Sequence, residues 1–350
     1  MKKKNFCLGI ESTAHTFAVS IIDKNCKILA EEKKMFTTKK GGIIPKELSE
    51  HHYKIAPKIL ENALKKSGKK INEIDLIAFS QGPGIGNALR VGANIARQLS
   101  LLNNIPLIGV NHCIAHIEIG RKICNANDPV LLYASGANTQ IICYENNYYR
   151  VFGETLDTGI GNFLDTFGRK LGIGFPAGPK LDELYFKGKE LLELPYTVKG
   201  MDLAFSGLLT SATKKYEEIL LEKISKKDKE QKINNLIYST LHNAFAMLTE
   251  VTERALAHTE KKQVILGGGV GCSKALQEMV EKMCKERKAK LFVPPNNVMT
   301  DNAIMIAWLG ILMKKNNNKT NINQSKIKPK QRTDDIKINW RNNLIKKGNI

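Results

Sequence analysis

Two short β-hairpins with polar tips open the two halves of the chain, and this repetition constrains the fold more than any other feature. Residues 7–11 and 17–23 are apolar, β-prone runs separated by a hydroxyl-bearing turn at 12–16. Residues 130–135 and 140–144 repeat the pattern around Gly136, Ala137, Asn138 and Thr139. The recurrence predicts an internal duplication of a β-hairpin plus α/β unit, with the boundary near Asp128. A length of 350 residues gives room for about two such units.

Between and after the hairpins, helical and apolar extended patterns alternate. Helices are expected at 46–66, 87–102, 181–190, 206–221 and 233–258, with strands at 74–80, 106–110 and 263–266. This reads as an α/β protein whose strands lead into functional loops.

Charge points outward to partners. The chain carries 54 Lys plus Arg against 34 Asp plus Glu, a net +20, which favours polyanions such as nucleic acid. A coding bias toward Lys, Asn and Ile is the alternative source of that charge. Residues 311–350 hold 11 Lys plus Arg against Asp334 and Asp335, and the Asn-rich stretch 314–330 reads as a flexible basic linker. Seven cysteines, an odd number without a C-x-x-C pair, suggest reduced thiols and a cytoplasmic protein. No apolar run approaches the roughly 20 residues of a membrane span, so no membrane partner is expected.

Asn111 follows a strand and is a candidate N-cap for a helix that sets His112 and His116 at i and i+4. Two imidazoles one turn apart share a metal ion readily, although the same pattern arises in capping or core histidines. The residue after the first histidine is Cys113, not the Glu that serves as base in H-E-x-x-H proteases, which disfavours peptide hydrolysis. Asp301 precedes an apolar helix at 303–313 and is either a third ligand or an ordinary N-terminal charge.

Gly-rich turns at 81–86 (Q-G-P-G-I-G) and 267–271 (G-G-G-V-G) each join a strand to a helix, where backbone N–H groups can approach a phosphate. Neither has the spacing of a dinucleotide fingerprint or a Walker motif. Residues 153–180 interleave Glu154, Asp157 and Asp165 with seven glycines, with Asp182 just beyond, a density that marks a site loop over a merely solvated one.

Taken in order, these stretches resemble the tRNA threonylcarbamoyladenosine transferase family, formerly called O-sialoglycoprotein endopeptidase. The matches are G-I-E-S-T-A-H-T (9–16), G-G-I-I-P-K-E-L-S-E-H-H (41–52), Q-G-P-G-I-G-N-A-L-R-V-G (81–92), N-H-C-I-A-H (111–116) and Y-A-S-G-A-N-T-Q (133–140). They continue with G-E-T-L-D (153–157), L-D-T-F-G-R-K-L-G (164–172), F-S-G-L-L-T (205–210), G-G-G-V-G (267–271) and T-D-N-A-I-M-I-A (300–307). The A-H-T turn and K-P-K-Q-R-T-D-D-I-K-I-N-W-R (328–341) resemble the archaeal and eukaryotic branch, the catalytic subunit of the KEOPS complex. Ala137, Ala177, Ser273, Ile44 and Lys46 depart from the family's usual residues.

The resemblance implies a two-lobed actin-like, sugar-kinase-type (ASKHA) α/β fold with a cleft between the lobes. Lobe I would be residues 1–128 with 301–341 packed back on it, and lobe II residues 129–300. It implies one divalent metal, Fe2+ before Zn2+, held by His112, His116, Asp301 and Tyr133. Substrate contacts would come from Tyr133, Ser135, Gly136, Asn138, Asp165, Gly178, Asp182, Gly268, Gly269 and Ser273, with Glu11 and His15 as further cleft candidates. The implied reaction moves a threonylcarbamoyl group from threonylcarbamoyladenylate to tRNA, with a separate small atypical kinase/ATPase and other KEOPS subunits as partners. An actin-like ATPase or regulatory scaffold, and a metalloprotease, are the alternatives.

Overall fold

A computed structural model describes residues 6–38 and 42–341. Gly41 of the second motif and the basic residues of 1–4 and 342–350 lie outside the described residues. The first half comprises β1 (Phe6–Glu11), β2 (Thr16–Asp23), β3 (Ile28–Met35), α1 (Pro45–Ser67), β4 (Leu76–Gly82), α2 (Gly86–Asn103), β5 (Leu107–Asn111) and α3 (His112–Cys124). The second comprises β6 (Val130–Ala134), β7 (Thr139–Glu145), β8 (Tyr148–Glu154), α4 (Ile160–Lys170), α5 (Gly178–Tyr185), the two-residue strands β9 (Val198–Lys199) and β10 (Asp202–Leu203), α6 (Ser206–Leu221), α7 (Lys226–Thr259), β11 (Gln263–Gly267), α8 (Lys274–Glu286), β12 (Lys290–Phe292), α9 (Asn296–Met299) and α10 (Ala303–Lys315).

The duplication is explicit in the topology. One five-stranded sheet has the order β3-β2-β1-β4-β5 and the other β12-β11-β6-β7-β8. In each, the first three strands form an antiparallel meander whose first strand pairs parallel with a later crossover strand, β1 with β4 and β6 with β11. The strands not foreseen include the short β9, β10 and β12 and, more consequentially, β3 and β8, the outer strands of these meanders. Their sequences, I-L-A-E-E-K-K-M and Y-Y-R-V-F-G-E, carry the charge that blunts an exposed edge and hides the strand pattern.

Equivalent helices end the two halves and pack against each other: α3 after β5, and α10 after β12. Helix α3 begins where Asn111 Oδ1 accepts the Ile114 amide at 3.1 Å, and α10 where Asn302 Oδ1 accepts that of Met305 at 2.9 Å. Helix α10 is apolar around its whole circumference because it lies between the first sheet and α3. Gly9 permits that approach, since a Cβ there would stand 2.3 Å from the Ala303 carbonyl oxygen.

The segment expected as a flexible linker at 314–330 is tied down along the first sheet. Thr320 donates its amide to Leu107 O at 3.2 Å, Gln81 Nε2 donates to Gln324 O and Lys326 O at 2.8 Å each, and Lys328 donates its amide to Gln81 O at 2.7 Å. The backbone of Leu107 and the backbone and side chain of Gln81 supply these partners, which composition alone does not reveal.

Candidate metal centre

His112 and His116 lie on one face of the first turns of α3, both buried, with ring centroids 4.7 Å apart. Asp301 enters from the short link between α9 and α10. Its Oδ1 lies 3.4 Å from Nε2 of each histidine, and one donor atom from each of the three residues falls within 4.8 Å of the others. Two imidazole nitrogens and a carboxylate converging this closely are a donor set for a single divalent metal. Tyr133, near the end of β6, brings its hydroxyl to 3.1 Å from His112 Nε2. Burial pushes that phenol well above its ordinary range, so it is held neutral.

On the other edge of the His112 ring, Nδ1 faces Glu11 Oε2 at 3.0 Å. Glu11 is wholly buried at the end of β1, and its second oxygen accepts the amide of Thr13 at 2.6 Å and the Thr13 hydroxyl. Burial disfavours the charged form of His112, but the nearby Glu11 and Asp301 carboxylates outweigh it and raise its pKa well above normal. His116 moves the other way, because burial is not offset by its bond to Asp301. Asp301, despite burial, is held well below the carboxylate range by the two imidazoles. The cluster is thus an ionised carboxylate between His112, which favours its protonated form, and His116, which favours its neutral form, and a metal bound at His112 Nε2 would take the place of that proton.

The remaining sequence candidates lie on the β1–β2, β6–β7 and β11–α8 turns and on α4 and α5. Ser135 donates its amide and hydroxyl to Asn138 O, each at 3.0 Å, closing the hairpin turn that exposes Gly136. Gly159 and Gly161 lie against that turn; a Cβ on Gly159 would be 2.3 Å from Gly136 O. Gly268 has φ +85°, and its amide donates to Met299 O at 3.1 Å, which sets the G-G-G-V-G turn beside the Asp301 link. Around Gly269 and Gly178 the space that a side chain would take is open.

Asp165 accepts the Ala177 amide at 2.8 Å, and burial raises its pKa. Asp182 and Ser273 are brought together: the Ser273 hydroxyl donates to Asp182, which also accepts the Lys274 amide at 3.0 Å. Ser273 in turn N-caps α8 by accepting the Leu276 amide at 3.2 Å. Both side chains are therefore engaged with the start of α8. His15 packs edge-on to Phe175, with centroids 5.7 Å apart, within electrostatic reach of Asp301 and Asp165.

Thr13 was not singled out in the sequence. Its hydroxyl reaches Glu11 and also lies 3.2 Å from His112 Nδ1, and its only sequence signal is a hydroxyl beside an acid ending an apolar strand. Of the departures, Ala177 is buried with helical φ −83° and its methyl fills the space beside Gly168. Ile44 and Lys46 are exposed at the start of α1.

Solved structures share this fold at low identity. HypF of T. kodakarensis matches with TM-score 0.61 at 15% identity, over 89% of this chain and 48% of that one. An activator of 2-hydroxyisocaproyl-CoA dehydratase from Clostridium difficile matches with TM-score 0.55 at 12% identity, over 89% and 96%. These place the chain in the actin-like ATPase fold. A protein of Thermococcus sibiricus named tRNA N6-adenosine threonylcarbamoyltransferase is 50% identical over 333 residues, 95% of this chain and 99% of that protein. A probable bifunctional tRNA threonylcarbamoyladenosine biosynthesis protein of Methanocaldococcus jannaschii is 49% identical over 95% of this chain but only 60% of its own length. The family model TsaD, tRNA N6-adenosine threonylcarbamoyltransferase, matches residues 26–308, and the chain belongs to that family.

Proposed function

We propose that the protein transfers the threonylcarbamoyl group from L-threonylcarbamoyladenylate to N6 of the tRNA adenosine beside the anticodon, position 37, forming N6-threonylcarbamoyladenosine and AMP. The observation that carries this reading is 50% identity, over 99% of its length, to a protein named as that transferase. The accepting amine is a weak nucleophile because its lone pair is delocalised into the purine. Catalysis must therefore come from orienting the reactants and stabilising charge on the carbonyl and the departing phosphate.

His112, His116 and Asp301 would hold the metal, with Tyr133 beside them; iron(II) is the first choice and zinc the second. Such an ion supplies a fixed positive charge for substrate oxygens. Glu11 and Thr13 orient His112 from behind. The open backbone at Gly136, Gly178 and Gly269 gives room for the nucleotide half, Gly268 packs the turn against Ala134, and Ser135, Asn138 and Asp165 stand at its edges. Asp182 and Ser273 fix the start of α8 that follows the G-G-G-V-G turn. His15 faces Phe175 at the mouth of the cleft.

We assign residues 1–128 with 301–341 to one lobe and 129–300 to the other, a division supported by the packing of α10 on β1, β2 and β4. The longer relatives named bifunctional support a partnership with a second activity, for which we propose a separate small kinase/ATPase with other KEOPS subunits. No described helix is long and apolar enough to cross a membrane, and we place the enzyme in the cytoplasm.

The test supplies the protein and its partners with threonylcarbamoyladenylate and unmodified tRNA, and reads threonylcarbamoyladenosine by nucleoside mass spectrometry. His112→Ala and His116→Ala should each lose metal and product while remaining folded. Product from a verified metal-free variant overturns the metal assignment, and no product from the complete assembly overturns the transfer.

A further inference from the structure

We propose that the C-terminal strap is a cationic dock for the phosphate backbone of the RNA substrate, built from the side chains of Lys326, Lys328, Lys330 and Lys337. It rests on the transfer to tRNA proposed above and adds where the polyanion is held. Lys328, Lys330 and Lys337 line an open concavity of about 890 Å³. All four lysines are exposed and none is ion-paired among the described residues. Arg332 pairs with both Glu154 and Asp334, which leaves Asp335 as the one carboxylate in the lining.

The charges are held on a fixed track. Backbone groups of Lys326, Lys328 and Ile338 are bonded to Gln81 and Asn147, at 2.8, 2.7 and 2.7 Å. A dock that is ordered before binding loses less entropy on binding than a loose tail does. By contrast, the lysines at the α6–α7 corner are interleaved with Glu222, Asp228 and Glu230, and Lys232 is paired with Glu222.

The track also abuts the metal centre. Gly84 donates its amide to Pro329 O at 3.1 Å, and the next residue, Ile85, donates to Thr13 O at 2.8 Å. Thr13 is bonded to Glu11, which is bonded to His112. A strand of RNA held on these lysines is therefore one loop away from the histidines. Three lysines against the single carboxylate of Asp335 set the charge of this concavity for a polyanion. Phosphates need only the charge.

The experiment compares full-length wild type with Lys326→Gln/Lys328→Gln/Lys330→Gln/Lys337→Gln, the same four changed to Arg, and a corner variant, Lys214→Gln/Lys223→Gln/Lys226→Gln/Lys227→Gln, on α6 and the α6–α7 corner. Affinity for unmodified tRNA is measured across a salt series, alongside metal content and circular dichroism. The strap Gln variant should flatten the slope of log K against log salt by about 3 and bind more than ~10-fold more weakly at low salt, with metal content unchanged. The Arg variant should retain wild-type binding, and the corner variant should lose less than about twofold. Equal losses in strap and corner variants, unchanged binding in the strap Gln variant, or loss in the Arg variant overturns the dock. Strap-dependent binding without any product counts against the transfer alone; product formation with strap-independent binding counts against the dock alone.

Discussion

Oε2 of Glu11 lies 3.0 Å from Nδ1 of His112, while Nε2 of the same ring faces Asp301 Oδ1 at 3.4 Å. The carboxylate behind the imidazole retains the proton on Nδ1 and leaves Nε2 as the nitrogen available to a metal. Glu11→Gln keeps the shape but replaces the charge with an amide. Metal affinity should fall by about 10–100-fold without loss of fold, as for other outer-shell partners of ligating histidines. Competition titration with a chelator, using iron(II) and zinc(II), measures it; unchanged affinity would show that Thr13 and packing alone orient the ring.

How far this arrangement was legible in the sequence depended on distance along the chain. The i, i+4 spacing places His112 and His116 on one face of α3, and the cap at Asn111 fixes where that face begins. The approach of Asp301, 185 residues beyond His116, depends on α10 docking between the first sheet and α3, which no local pattern encodes. Motif resemblance supplied what periodicity did not. The strap was misread for the opposite reason: its Lys and Asn composition is that of a loose tail, yet Gln81, Arg97 and Leu107 each bond its backbone. Asp182 and Ser273 are 91 residues apart, and their mutual bond and the capping of α8 appear only in three dimensions.

Gly9 tests the docking of α10. A methyl group there would lie 2.3 Å from Ala303 O and 2.9 Å from Ala307 Cβ, so helix and strand must separate. Gly9→Ala should destabilise the fold by about 1–3 kcal/mol or more and, by displacing the helix that follows Asp301, weaken metal uptake. A urea midpoint and a metal titration on the same preparation check both, and a neutral result in each would mean that α10 can shift freely.

Trp340 anchors the end of the strap to the helix that bears the histidines. Its indole Nε1 donates to Glu118 Oε1 at 2.9 Å, Tyr149 donates to the same oxygen at 2.6 Å, and Arg121 donates to Oε2 at 2.8 Å. Trp340→Phe removes one donor from a buried carboxylate and should cost about 1–3 kcal/mol. Denaturant unfolding monitored by circular dichroism measures this, and a loss below about 0.5 kcal/mol would place the anchor in ring packing alone.

His52 gives the fold a pH dependence of known sign. Its Nε2 lies 2.9 Å from Ala14 O and its Nδ1 3.2 Å from His51 Nδ1, so the neutral ring donates to the carbonyl that precedes His15. Burial, the largest cause, pushes its pKa down to about 4, below the ordinary 6.5. Between those values the unfolded chain binds a proton that the folded one does not, so stability rises with pH across this window. The contribution of the neutral ring is complete above pH 6.5 and is lost progressively as pH falls toward 4, to a maximum of about 3 kcal/mol. His52→Gln preserves a donor for Ala14 O and removes the titration. Urea unfolding at pH 7 and at a pH near 4.5 should therefore show a steeper loss in wild type than in the variant, by about 2 kcal/mol. Equal losses in the two proteins would mean that His52 takes up its proton without disturbing the fold.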